Sequence, residues 1–303
     1  MVDVIIPAYN AHGTIERALQ SLIQQINKEV IKVYIINDGS DTDYSNIVNS
    51  YSEELDIEQI TIKNSGPGFA RQKGLNCSHN EYILFLVADD YLYDEYALIN
   101  LLHVIKGNDV AEGRFVERKV DGDVILNPQY CYLHGKIFRR SIIEKNKLRF
   151  DVRKKNTGDI YEDSSFNQLY YFCCDSVGTT NKIVYVYEYN SESLTKKNID
   201  AVANLHNFID AMNWLTHEVK KRNLESANIV WNYCLMCFHC YFHYLLSPEA
   251  NEFVFKEMKQ IKKIYKKYEN EISYDDQLAI YKFFDFPVIP TITFYDFMDK
   301  CEG

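Results

Sequence analysis

Two pairs of adjacent carboxylates have the types and settings to do chemistry: Asp89–Asp90 in LFLVADDYL and Glu162–Asp163 in GDIYEDSSF. The first pair follows six consecutive apolar residues, Tyr82 to Val87. A buried strand that ends in paired negative charge needs a positive partner there. A hard divalent cation would suit, because it takes oxygen ligands and keeps waters and substrate phosphates in its shell. It would neutralise a diphosphate and stabilise it as a leaving group. The same pair also reads as a polar turn before a helix, with Asp90 or Asp94 as cap. The second pair, ahead of SSFNQL, reads from its residues alone as the first turn of a helix, with Asp163 or Ser164 as cap.

The elements that must position these groups follow from hydrophobic periodicity. Residues 2–7, 31–38, 57–63 and 82–88 are short runs rich in Val, Ile, Tyr and Phe, and they read as strands. Between them, 14–27 places Ile15, Ala18, Leu19, Leu22, Ile23 and Ile26 at helical spacing, with Gly13 or Thr14 in the cap region. Residues 68–78 predict a shorter helix. Strands alternating with helices imply parallel pairing in an α/β fold, with ligands beyond the carboxyl ends of the strands. Asp38 and Asp89 would then face one crevice. From about Ile199 the pattern turns helical and aromatic, over 200–222, 225–246 and 250–268. The expected organisation is a domain over 1–198 and a helical region over 199–303, serving acceptor binding or oligomerisation.

Composition narrows the classes. The chain has 303 residues, 47% of them hydrophobic, a net charge of −10 and a pI near 5.3. That balance disfavours an undirected grip on nucleic acid or on an anionic membrane. No apolar run approaches the roughly 20 residues of a spanning helix. MVDVIIPAYN lacks a basic leader region, so a cytoplasmic protein is expected, with peripheral membrane contact left open. The eight cysteines read as reduced thiols. Cys234, Cys237 and Cys240, near His239 and His243, drift around a helix axis and read as core residues instead of a metal site.

The ordered set VIIPAYN, INDGSDTD, NSGPGFARQKGLN, LFLVADDYL and GDIYEDSSFNQL, over residues 1 to 195, resembles the family-2 glycosyltransferases. The resemblance implies a GT-A fold: a Rossmann-like, mixed and mostly parallel sheet flanked by helices. It also implies an inverting, hexosyltransferase-type enzyme that moves a sugar from a UDP-sugar to an acceptor hydroxyl, assisted by Mn2+ or Mg2+. The acceptor would be a glycan, a lipid-linked sugar or a polymer. Carried over by position, Pro7, Ala8 and Tyr9 form the loop against the nucleobase. Asp38 accepts from the uracil ring. Gly66, Gly68 and Arg71 pass beside the base and phosphates. Ala88, Asp89 and Asp90 form the metal and donor turn, with Asp89 as the metal contact. His134 and Gly135 come near the donor sugar, and His134 reads as a polar pocket wall. Asp163 is the general base and Glu162 orients it. Ser193, Thr195 and Lys196 match a loop over the diphosphate.

The departure is Val87, which stands where the family commonly has the first acid of an Asp-x-Asp pair. Its loss puts donor affinity and strict metal dependence in question, with Asp90 as a possible partial substitute through water. It also invites a second reading, a degenerate nucleotide-sugar-binding module. A third reading takes modified DNA bases as the acceptor. The basic stretch from Lys136 to Lys155, which includes Arg139 and Arg140, sustains it against the acidic total charge.

Overall fold

The computed structural model describes residues 1–128, 132–153, 161–190, 201–224 and 266. The chain divides into two compact units, Met1–Lys197 and Asn198–Gly303.

The first unit is built on one mixed sheet. Strands β1 (Val2–Ala8), β2 (Ile31–Asn37), β3 (Asp56–Thr61) and β4 (Tyr82–Phe85) pair in parallel in the order β3-β2-β1-β4. Beyond β4 the sheet continues through β8 (Lys136–Arg139), β6 (Val110–Glu117), β9 (Val177–Tyr187) and β5 (Tyr91–Leu92), with β7 (Val124–Leu126) on β6. Strand β8 is antiparallel to both β4 and β6, whereas β6 and β9 are parallel. The order reverses around β1: β2 and β3 lie on one side and β4 on the other. The carboxyl end of β1 is therefore a switch point, where such sheets leave a crevice.

Helices α1 (Ile15–Ile23), α2 (Ser45–Tyr51), α3 (Pro67–Cys77), α4 (Ala97–Ile105), α5 (Arg140–Asn146) and α6 (Glu162–Cys173) complete the unit. Alternation along β1 decides which face meets which layer. Val2, Val4, Ile6 and Ala8 join Ile15, Leu19 and Leu22 of α1 and Leu98 and Leu101 of α4 in one buried cluster. The opposite layer is aromatic. Phe85, Phe138, Phe150 and Phe166 pack ring on ring, with Phe150 and Phe166 stacked at 4.0 Å. Large rings at these distances supply both apolar burial and favourable edge-to-face contacts. They seat α6 on the sheet.

Two boundaries differ from the periodicity. The fourth strand, expected over 82–88, leaves its ladder at Phe85. Leu86 N–H still donates to Ile5 O at 3.1 Å, but a turn then closes from Val87 to Asp90. Helix α1 stops at Ile23. Ile26, expected on its apolar stripe, has its N–H on Glu95 O and a 55% exposed residue surface.

In the second unit, α7 (Ala201–Lys221) occupies the span expected to be helical. Phe208, Ala211, Met212, Leu215 and Val219 are buried at helical spacing, and Glu218 pairs with Arg222 at 2.6 Å. None of the described helices is long and apolar enough to cross a membrane. The expected helices over 225–246 and 250–268, the cysteine run at 234–240 and Ser193, Thr195 and Lys196 lie outside the described residues.

Candidate active site

The carboxyl ends of β1 and β2 are tied together by side-chain bonds. Asn10 takes a positive φ of 49° just past β1. Its N–H donates to Ser40 Oγ, its Nδ2 donates to Asp41 Oδ2, and Asp41 N–H donates back to Asn10 Oδ1. Tyr44 Oη receives Ala11 N–H at 2.9 Å. Tyr9 projects from this braced loop and is 54% exposed, so a flat aromatic face is offered where Ala8 ends the strand. Pro7 and Ala8 are ladder residues opposite Ile36 and Asn37.

Asp38 is buried directly after β2. Its two carboxylate oxygens receive Ser65 N–H and Gly66 N–H, each at 2.8 Å. This staples the segment before α3 to the end of β2. Gly39 makes the turn possible with φ +73°, and a Cβ there would meet Asn64 N at 2.7 Å.

At the end of β4 the two acids separate. Asp89 is half-buried. Its carbonyl receives Arg17 Nη2 at 2.6 Å and its Oδ2 receives Asn190 Nδ2 at 2.8 Å. Asp90 points the other way, into the protein. Tyr185 Oη donates to Asp90 Oδ2 at 2.7 Å, and Glu188 N–H donates to Oδ1 at 2.9 Å. Burial, and then the charge of Asp89, raise Asp90 well above the usual carboxylate range. Tyr185 Oη also accepts Val87 N–H at 3.3 Å. Asp90 is thus an anchor for β9, and its buried carboxylate does not stand in for the acid missing at Val87. It caps no helix either: α4 starts after Tyr96, whose N–H is taken by Asp94.

Helix α3 joins this region to the second acid pair. Gly66 precedes it with φ +91°. A Cβ on Gly68 would lie 2.8 Å from both Asp151 O and Glu162 Cγ, so α3 and the start of α6 touch where only hydrogen fits. One turn on, Arg71 forms a buried ion pair with Glu162. The acid that Arg71 meets is thus the one beside Asp163. Tyr161 enters α6 with φ +71°, and Ser165 Oγ donates to Tyr161 O at 2.9 Å. Asp163 is half-buried in the first turn, and its Oδ1 accepts Ser164 N–H at 2.7 Å.

His134 sits in a ring cluster that includes Tyr185, the partner of Asp90. It stacks on Tyr132 at 4.7 Å and Tyr185 at 5.2 Å, and meets Phe115 edge-on at 4.4 Å. Its Nε2 is buried without a hydrogen-bond partner. Burial, with Lys136 adding to it, lowers its pKa to about 3, so the ring is neutral. The basic stretch after it is largely consumed internally. Lys136 is buried 3.7 Å from Glu112, Arg139 pairs with Glu81, Arg140 with buried Asp3, and Arg153 with buried Asp151. Those four cations are held by carboxylates of the protein itself.

Among the described residues no three His, Cys, Asp or Glu side chains converge as a metal cluster. Asp89 nonetheless suits a cation that takes one or two carboxylates and completes its shell with phosphate oxygens and water. Its Oδ2 is held by Asn190, which fixes the direction of the carboxylate. The residues that sequence reasoning missed are the supports: Asn10, Tyr185, Glu188 and Asn190.

The model of the family described as glycosyl transferase family 2 matches residues 3–166. The chain is 26% identical over 255 residues to a poly(ribitol-phosphate) beta-glucosyltransferase of Bacillus spizizenii, covering 75% of this chain and 38% of that protein. It is 25% identical over 245 residues to the poly(ribitol-phosphate) beta-N-acetylglucosaminyltransferase TarS of Staphylococcus aureus, covering 75% and 42%. The match thus spans well under half the length of these curated relatives. In three dimensions the chain is similar to S. aureus TarS 1-349 in complex with UDP-GlcNAc, with a TM-score of 0.68 at 19% identity over 86% of this chain and 80% of that one. It is also similar to the mannosyltransferase PcManGT of Pyrobaculum calidifontis in complex with GDP-Man and Mn2+, with a TM-score of 0.54 at 13% identity over 99% and 83%. At these identities the structural likeness speaks for the fold, which is GT-A.

Proposed function

The chain belongs to glycosyl transferase family 2 and is a glycosyltransferase, and from that premise we propose that it moves a sugar from a UDP-sugar to a hydroxyl of a polymer, by a single inverting displacement. The observation that carries this reading is the Arg71–Glu162 pair. It ties the segment stapled to Asp38 to the helix whose first turn holds Asp163, across one end of the sheet.

In this reading Tyr9 stacks on the uracil. Asp38 accepts a uracil N–H beside the N–H groups of Ser65 and Gly66, since a carboxylate has about four acceptor sites. Asp89 would hold Mn2+ or Mg2+, and that ion would supply charge neutralisation of the departing diphosphate. Asp163 takes the proton of the acceptor hydroxyl as its oxygen bonds to the anomeric carbon. The bond from that carbon to UDP breaks on the opposite face, and the diphosphate leaves with the electron pair. Glu162, locked by Arg71, holds the turn that aims Asp163. The polymer acceptor is supported by the names of the relatives, both poly(ribitol-phosphate) transferases.

The test is Asp163→Asn, which keeps size and hydrogen bonding but cannot take the proton. Turnover should fall by about 10²- to 10⁴-fold while UDP affinity changes little. The wild-type product should have the inverted anomeric configuration. A retained configuration, or near-normal turnover in Asp163→Asn, would reduce the acid pair to the start of a helix. UDP-sugar binding without any turnover would favour a binding module.

A further inference from the structure

Arg114 is a cation that no carboxylate of the described residues meets. It is half-buried in the second half of β6, its Nε is buried without a hydrogen-bond acceptor, and no ion pair reaches it among the described residues. The other described arginines are engaged, most of them by carboxylates. A guanidinium carries five donors and keeps its charge, so a buried, unsatisfied one is costly unless an anion arrives.

The fold says where that anion would sit. Ala111 and Phe115 belong to the core cluster on one face of β6, so Glu112 and Arg114 lie on the other. On that face Tyr171 of α6 donates to Glu112. Strand β8 is antiparallel to both β4 and β6, so β6 runs with β4, toward the end where Asp89 lies. Arg114 is about 7 Å further along than Glu112. Helix α6 runs the opposite way, from Glu162 at Arg71 down to Tyr170, whose Oη donates to Asp109 O. About four helical residues cover the same rise. Arg114 thus comes level with Asn167, about one turn from Asp163. Glu112, on the same face of β6, is already met by Lys136 and Tyr171. Register shifts between β6 and β9 flank Arg114 on both sides, with the extra residues in β9.

We propose that Arg114 binds a phosphodiester anion of the acceptor, beside the hydroxyl that Asp163 deprotonates. This rests on the reading of Asp163 as base and deepens it by naming the acceptor class. The diphosphate of the donor is disfavoured as the occupant by position. It would lie at the ends of β1, β2 and β4, and β6 is two strands beyond β4, about 10 Å away. A planar fork of donors suits a phosphate oxygen pair.

The experiment measures binding of a short synthetic ribitol-phosphate oligomer, with phosphate-free ribitol as control, to the full chain without donor. Wild type should bind the oligomer in a salt-sensitive way. Arg114→Gln should weaken that binding by about tenfold to a hundredfold, the loss expected for a charged hydrogen bond, and Arg114→Lys should restore part of it. UDP affinity should stay within about twofold, and thermal stability should hold or rise because no partner is lost. Should Arg114→Gln fail to fold, Arg114→Lys and the salt dependence of wild type decide. Oligomer binding unaffected by either variant, equal losses of oligomer and UDP affinity, or no oligomer binding by wild type at low salt would overturn the proposal. The base assignment fails separately, if Asp163→Asn turns over normally while oligomer binding still depends on Arg114.

Discussion

Breaking the Arg71–Glu162 pair should cost both stability and transfer, and the two losses can be separated. The side chains are 9% and 6% exposed, so both charges are largely out of water. Arg71→Met keeps most of the apolar stem and leaves Glu162 as a buried carboxylate without its cation. Loss of one partner from such a pair costs about 3–5 kcal/mol. The double variant Arg71→Met with Glu162→Leu removes both charges, and its stability should return to within about 2 kcal/mol of wild type, since apolar replacements of buried pairs are often neutral. Transfer should stay low in both variants, because the start of α6 is no longer pinned to α3. Urea unfolding followed by circular dichroism gives the first quantity, and UDP release with acceptor gives the second. A single variant within about 0.5 kcal/mol of wild type, or a double variant no more stable than the single, would refute the claim that this buried pair governs the junction.

Asp89→Asn should keep the fold and remove most transfer, and EDTA should do the same to wild type reversibly on adding Mn2+ or Mg2+. Full activity in EDTA would remove the metal from the reading. His134 makes stability depend on pH with a definite sign. Its pKa is lowered from 6.5 to about 3 in the fold, so below pH 6.5 the unfolded chain takes up a proton that the folded chain refuses. Stability contributed by the neutral ring is therefore present above pH 6.5 and lost as pH falls toward 3, by about 1.4 kcal/mol per unit, or about 2 kcal/mol at pH 5. Denaturant titrations of wild type and His134→Phe at several pH values should differ by that slope. Parallel pH profiles would show that the ring is hydrated in the folded protein.

The elements of the parallel half were legible because each carries a local signal. The strands at 2–8, 31–37, 56–61 and 82–85 and the helices at 15–23 and 67–77 lie within a few residues of their expected positions. Alternating strand and helix then leaves few topologies, and a strand's carboxyl end is where its next loop must turn. That is why Tyr9, Asp38 and Asp89 could be grouped from the sequence. Strands β5 to β9 were not foreseen, and β5 and β7, two and three residues long, carry no period to read.

What only the tertiary structure decided is which polar groups are consumed. Asp89 and Asp90 are neighbours in sequence with opposite fates, because Tyr185 and Glu188, some 95 residues away, claim the second carboxylate. Arg71 finds Glu162 at a separation of 91 residues, and the basic run after His134 is absorbed by Glu81, Glu112, Asp3 and Asp151. Residue type states what a side chain could bond, and local period states which face it takes. Whether it is free for a substrate depends on partners brought together by sheet order, and Arg114, an ordinary strand residue by sequence, is set apart because no carboxylate of the described residues meets it.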